Sequence, residues 1–102
     1  MSCPWYSVSN ANEIPSPSLL VWPDQVEHNI GVMVKTVGGN IENLRPHVKT
    51  HKMSEVMQLQ LDAGITRCKC ATIAEMEMAA EAGVPDILMA YQPIGPNISR
   101  LL

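Results

Sequence analysis

Phenylalanine is missing altogether, and the aromatic content is two Trp and two Tyr in 102 residues. A core must therefore rest on Val, Ile, Leu, Ala and seven Met, the last a flexible filler of irregular gaps. No run approaches the ~18 apolar residues of a membrane span. Met1 to Asn10 carry no basic start followed by an apolar block, so no secretory signal is expected and a cytoplasmic location is. The cysteines number three, an odd set, and without a signal they are expected as reduced thiols. A basic stripe is also lacking. Seven Lys and Arg are scattered along a chain of net charge −3, which argues against a nucleic-acid partner. Gly38-Gly39 is a lone pair without a phosphate-loop or dinucleotide pattern, and no Ser-His-Asp arrangement can be assembled.

What is present reads as one globular domain, with 46% hydrophobic and 17% charged residues. Residues 1–22 form an irregular lead-in broken by Pro4, Pro15 and Pro17, with a short extended segment at Ser18–Trp22. The remainder, 23–102, alternates helix and strand. Asp24 with Glu27 has capping-box spacing, and Val26, Ile30, Met33, Val34 and Val37 recur at helical intervals. Ser54 is a candidate N-cap for a short helix closed by Gly64. Thr72-Ile73-Ala74-Glu75 is a capping box for a third helix, closed by Gly83. Gly95-Pro96-Asn97 opens a fourth. Ala63-Gly64-Ile65 and Ala82-Gly83-Val84, 19 residues apart, each join a helix to a strand.

Strands are expected at 45–51, 66–71 and 86–91. Their centres are spaced by about 20 residues, close to the smallest βα unit, and right-handed crossovers make such a sheet parallel. Three strands cannot close an eight-stranded barrel. The expected fold is therefore α/β, the N-terminal part of a (β/α)8 TIM-type barrel that stops short at Leu102. Its unpaired sheet edge is expected to favour association.

Within this frame Arg45-Pro46-His47-Val48-Lys49-Thr50-His51-Lys52 stands out. As a strand it puts Arg45, His47, Lys49 and His51 on one face. So polar a face on a buried strand is costly unless it lines a functional cavity. The alternative is an edge strand whose basic face is solvated. A two-histidine metal site is disfavoured, because four strand steps separate His47 and His51 by about 13 Å. Cys68 and Cys70 share a face but lack further ligands, and buried small apolar residues are the simpler reading. Lys49, near the C-terminal end of the first strand, is the candidate nucleophile. Cationic neighbours and partial burial lower a lysine pKa and free the amine. Lys52 and Lys69 are its competitors.

The octapeptide resembles the lysine motif of the D-threonine aldolase and D-serine dehydratase family, pyridoxal-phosphate enzymes of fold type III with an alanine-racemase-like barrel. Pro17–Val21, Cys70–Glu75 and Gly83–Tyr91 support the resemblance, and Ala90–Asn97 leans towards the aldolase branch. The resemblance implies that Lys49 joins pyridoxal phosphate through a Schiff base, with His47 and Arg45 beside the cofactor. It implies a D-3-hydroxy amino acid as substrate, retro-aldol cleavage to glycine and an aldehyde, and a homodimer for the intact protein. A D-serine-dehydratase-like enzyme and a non-catalytic pyridoxal-phosphate-binding barrel are the alternatives. A divalent metal is also implied, with its ligands and the phosphate cradle outside these 102 residues. None of the present residues is assigned to metal, and these residues alone are expected to be inactive.

Overall fold

In the computed structural model, which describes residues 3–102, the chain folds as helices laid on one side of a small parallel sheet. The lead-in is irregular apart from one short turn of helix at Ala11–Glu13. Helix α1 runs Pro23–Thr36, α2 Ser54–Asp62, α3 Ile73–Glu81 and α4 Asn97–Leu101. Strands β1, Arg67–Cys70, and β2, Asp86–Met89, pair in parallel with Arg67 opposite Asp86 and Lys69 opposite Leu88. The overall extents are 55 × 38 × 19 Å. The thin dimension has room for one helix layer, about 10–12 Å across, on one sheet.

The predicted elements form, with shifted boundaries. Helix α1 starts at Pro23, a residue whose missing N–H costs nothing at the first helical position. Asp24 thus sits inside the first turn and is not the cap. Ser54 likewise begins α2 as its first residue, after Met53. The Thr72 box forms as a reciprocal pair. Thr72 Oγ1 accepts from the Glu75 N–H at 3.1 Å, and Glu75 Oε1 accepts from the Ala71 N–H at 3.1 Å. Gly64 and Gly83 each hold a left-handed backbone, φ +89° and +96°, just past a helix end. That is the conformation a helix C-cap asks of glycine.

The strand expected at 45–51 needs correction. It contracts to an isolated parallel bridge between His47 and Lys69. Two backbone bonds hold it: the Val48 N–H donates to the Lys69 carbonyl and the Lys69 N–H to the Pro46 carbonyl, both at 2.9 Å. Pro46 has no N–H to carry the ladder backwards. Beyond Val48 the Lys52 N–H turns back to the Val48 carbonyl at 2.9 Å, so Lys49–His51 form a turn. The other strands are shorter than expected, 67–70 and 86–89, with Ala90 still donating to the Cys70 carbonyl. The spatial order is octapeptide, β1, β2, which is the order in sequence.

Alternation then splits the sheet into two unlike faces. Val48, Cys68 and Cys70 are fully buried and pack with Met57 of α2, Ala79 of α3 and Val84. His47, Lys69 and Leu88 form a row on the opposite face, which no helix covers. Burial pushes the Cys70 thiol up to about 12, reinforced by Cys68 4.0 Å away, and raises Cys68 as well. Because the thiolate is the reactive form, both are inert in the folded state. We expect a thiol reagent at pH 8 to modify exposed Cys3 at once, and Cys68 and Cys70 only after denaturant is added. Peptide mapping of the alkylated protein checks this, and early labelling of Cys68 or Cys70 contradicts the packing.

Candidate active site

The first residues of β1 and β2, Arg67 and Asp86, mark the N-terminal end of the sheet. Lys49, Ala71 and Tyr91 lie past the C-terminal ends of the three parallel segments. In parallel α/β folds that C-terminal end is where ligands bind. Lys49 is exposed, and among the described residues it has no ion-pair partner. It follows directly on Val48, the most deeply buried residue of the octapeptide. Its backbone is anchored while its amine is free.

The four residues expected on one face separate into three environments. Arg45 goes to the N-terminal end. Its Nη1 lies 2.9 Å from Asp86 Oδ1 and also donates to the Cys68 and Asp86 carbonyls at 3.0 and 3.3 Å. Arg67 Nε approaches the other Asp86 oxygen at 3.4 Å. The Arg45 hydrogen bond holds the Asp86 carboxyl below the usual carboxylate range. One carboxylate thus clasps two guanidinium groups across three chain segments. An acidic residue opening an otherwise apolar strand was the sequence signal for this triad, which the spacing argument passed over.

His47 stays on the open face beside Lys69. Its Nδ1 accepts the Lys49 N–H at 3.2 Å, which leaves the ring proton of the neutral form on Nε2. His51 leaves that face. The turn carries it towards α1 and α2, where its Nδ1 accepts the Met53 N–H at 3.0 Å. The two imidazoles thus bracket the lysine-bearing turn, one at each end. His51 borders a cavity of about 490 Å³ with Trp22, Ile30, Met33, Val56 and Gln60. Thr50 and His51 of the turn border this cavity, and Lys49 does not. Its walls are apolar, and His51 Nε2 and Gln60 Oε1 are buried there without partners among the described residues. Past the C-terminal ends of β1 and β2 lies a second cavity, about 390 Å³, bordered by Thr72, Met89, Tyr91, Gln92, Asn97 and Arg100.

The donor set was tested against an aldehyde-bearing phosphate cofactor. A free primary amine on an anchored backbone suits the aldehyde. The N-terminus of α3, the nearest ready-made anion site by position, is already filled by the Glu75 carboxylate, which also accepts from the Thr72 hydroxyl at 2.9 Å. A phosphate would need a cradle elsewhere.

With this geometry in hand, the comparisons are decisive at the level of family. Residues 21–100 match the model for the alanine racemase N-terminal domain. The chain belongs to that family. It is 34% identical over 77 residues to a D-threo-3-hydroxyaspartate dehydratase of Delftia sp. (strain HT23), covering 76% of this chain and 20% of that protein. It is 30% identical over 89 residues to a D-threonine aldolase of Arthrobacter sp, covering 87% and 24%. To a 3-hydroxy-D-aspartate aldolase of Paracoccus denitrificans (strain Pd 1222) it is 32% identical over 93 residues, covering 88% and 24%. The chain spans about a fifth to a quarter of the length of these relatives. No solved structure matches it significantly. The family resemblance read from the octapeptide thus holds.

Two predictions follow from the turn itself. Lys52 has φ +54°, the one non-glycine residue with positive φ among those described. A side chain there costs about 1–2 kcal/mol, partly offset by the entropy of glycine. Lys52→Gly should raise stability by roughly 0.5–1 kcal/mol in urea unfolding. Second, burial lowers the His51 pKa below its ordinary 6.5, against the opposing charge of Glu75. The unfolded chain therefore binds the proton more readily than the folded one. The stability that neutral His51 contributes is present above pH 6.5 and is lost as pH falls from there through its folded pKa. Unfolding midpoints measured at pH 7.5 and 5.5 should fall with pH, and His51→Gln should flatten that slope.

Proposed function

We propose that this chain carries the nucleophilic lysine of a pyridoxal-phosphate-dependent lyase acting on D-3-hydroxy amino acids, with Lys49 as that lysine. The observation that supports it most is an exposed lysine side chain, unpaired among the described residues, one residue past the buried anchor Val48, at the C-terminal end of the first parallel segment, in a chain of this family. The intact protein would complete a (β/α)8 barrel, whose interior is the open sheet face described above.

The roles divide as follows. When bound, pyridoxal phosphate supplies an electron sink for the carbanion left at Cα. Lys49 Nζ would hold the cofactor through its aldehyde carbon and, when released, would carry a proton. His47 fixes the Lys49 backbone through Nδ1, and its Nε2–H is a donor for the cofactor or substrate. Arg45, engaged by Asp86, braces the segment that carries both from its N-terminal end. Retro-aldol cleavage then yields glycine and an aldehyde. A dehydratase outcome, in which the α-proton and the hydroxyl leave instead, is the second reading. It is favoured by the similarity to the D-threo-3-hydroxyaspartate dehydratase.

The test uses the full-length protein. Borohydride reduction in the presence of pyridoxal phosphate should add the cofactor mass to the Lys49 peptide, and Lys49→Ala should abolish the adduct and lower activity by at least about a thousandfold, as expected for a lost covalent nucleophile. An adduct that survives in Lys49→Ala removes the assignment. Glycine with acetaldehyde from D-threonine identifies an aldolase; 2-oxobutanoate with ammonia identifies a dehydratase.

A further inference from the structure

Row by row, the open face of the sheet changes character. At its N-terminal end Asp86 is divided between Arg45 and Arg67. The next row is His47, Lys69 and Leu88, fixed by the His47–Lys69 bridge and the Lys69–Leu88 pair. No carboxylate stands in it. Lys69 is half-buried, yet among the described residues it has no ion pair and no side-chain hydrogen bond. Beyond this row β1 and β2 continue into Ala71 and Ala90, kept level by the Ala90 N–H bond to the Cys70 carbonyl at 2.7 Å. Their methyls leave the C-terminal side of the row open.

The donors of that row are defined at both members. His47 Nδ1 accepts the Lys49 N–H at 3.2 Å, so the ring leans towards the lysine-bearing turn and the proton of its neutral form is on Nε2. Lys69 is its neighbour across a parallel pair, on a strand about 4.8 Å away. An imidazole N–H and an ammonium, side by side on fixed backbones, offer donors and no acceptor. A carboxylate, with two acceptor oxygens, is the complement of such a pair. In a completed barrel this face is interior, where an ammonium without an anion is costly.

We propose that His47 and Lys69 together seat the α-carboxylate of the amino-acid substrate, one oxygen on the His47 Nε2–H and the other on Lys69 Nζ. They are binding residues for the group every amino acid shares, and they hold it beside the backbone of Lys49. The assignment rests on the lyase reading above, since it needs an amino acid to bind at this face. A phosphate presents the same acceptors, and the experiment separates the two sources.

Two amines that lack a 3-hydroxyl, and so can be neither cleaved nor dehydrated, serve as probes: D-alanine, and ethylamine, the same skeleton without the carboxylate. Their binding to the full-length protein loaded with pyridoxal phosphate is measured by calorimetry. D-Alanine should bind roughly tenfold tighter or more, as a charged hydrogen bond allows. That ratio should fall by about tenfold in Lys69→Met and persist in Lys69→Arg, which keeps the charge. His47→Asn separates anion binding from support of the backbone. Asparagine can accept the N–H two residues on, as His47 does, but has no Nε2–H. There the ratio should fall by roughly threefold or more, with the borohydride adduct on Lys49 retained. Equal binding of the two probes to the unsubstituted protein overturns the proposal, and that arm needs no variant to fold. A ratio unchanged in Lys69→Met or in His47→Asn also overturns it. If Lys69→Met weakens the affinity for pyridoxal phosphate and leaves the ratio unchanged, the pair serves the phosphate and the proposal falls. The borohydride adduct is scored on the unsubstituted protein as well. If it is absent there, the lyase reading fails; if it is present without the carboxylate preference, only the pairing of His47 with Lys69 fails.

Discussion

Two backbone hydrogen bonds organise this molecule: the Val48 N–H to the Lys69 carbonyl, and the Lys69 N–H to the Pro46 carbonyl. They fasten a three-residue stretch to β1 in parallel register. Everything chemically interesting hangs from that fastening. It buries Val48 against Cys68, Cys70 and Met57, so it sets which side of the sheet the helices cover. It places His47 beside Lys69. It also fixes where the backbone of Lys49 emerges, one residue past the buried anchor.

The charges are arranged around the same fastening. At the N-terminal end Asp86 gathers Arg45 and Arg67. Such half-exposed pairs contribute little to stability individually, yet together they set the register of three segments at that end. Towards the C-terminal end the cations are lysines without such partners. A braced, neutralised end and an open, cationic end follow from one parallel register. The second is the arrangement a site for anionic, amine-reactive ligands requires.

Much of this was legible in order along the chain. The alternation of helix and strand, the parallel sense and the roughly 20-residue spacing follow from turn glycines, the Thr72-to-Glu75 box and two short strands, one alternating charged residues with cysteine and one largely apolar. The octapeptide could be singled out because its composition is wrong for a buried strand. Its detailed geometry could not be read. Period-2 alternation puts Arg45, His47, Lys49 and His51 together only if the strand runs through, and it does not. Lys52 closes a turn with the Val48 carbonyl, and no local preference for positive φ in lysine could have announced that. The turn exists because its ends are held from outside, by β1 before it and α2 after it.

By itself, then, the sequence determined the family, the α/β character and the identity of the anchoring motif, because these rest on local pattern and composition. The tertiary structure alone decided that Arg45 belongs to an ion triad 41 residues away in sequence with Asp86, that His51 leaves the face of His47, and that Lys69 stands in the His47 row. These are facts of register. Register is set by which backbone groups find each other across the sheet, and no stretch of sequence carries that information alone.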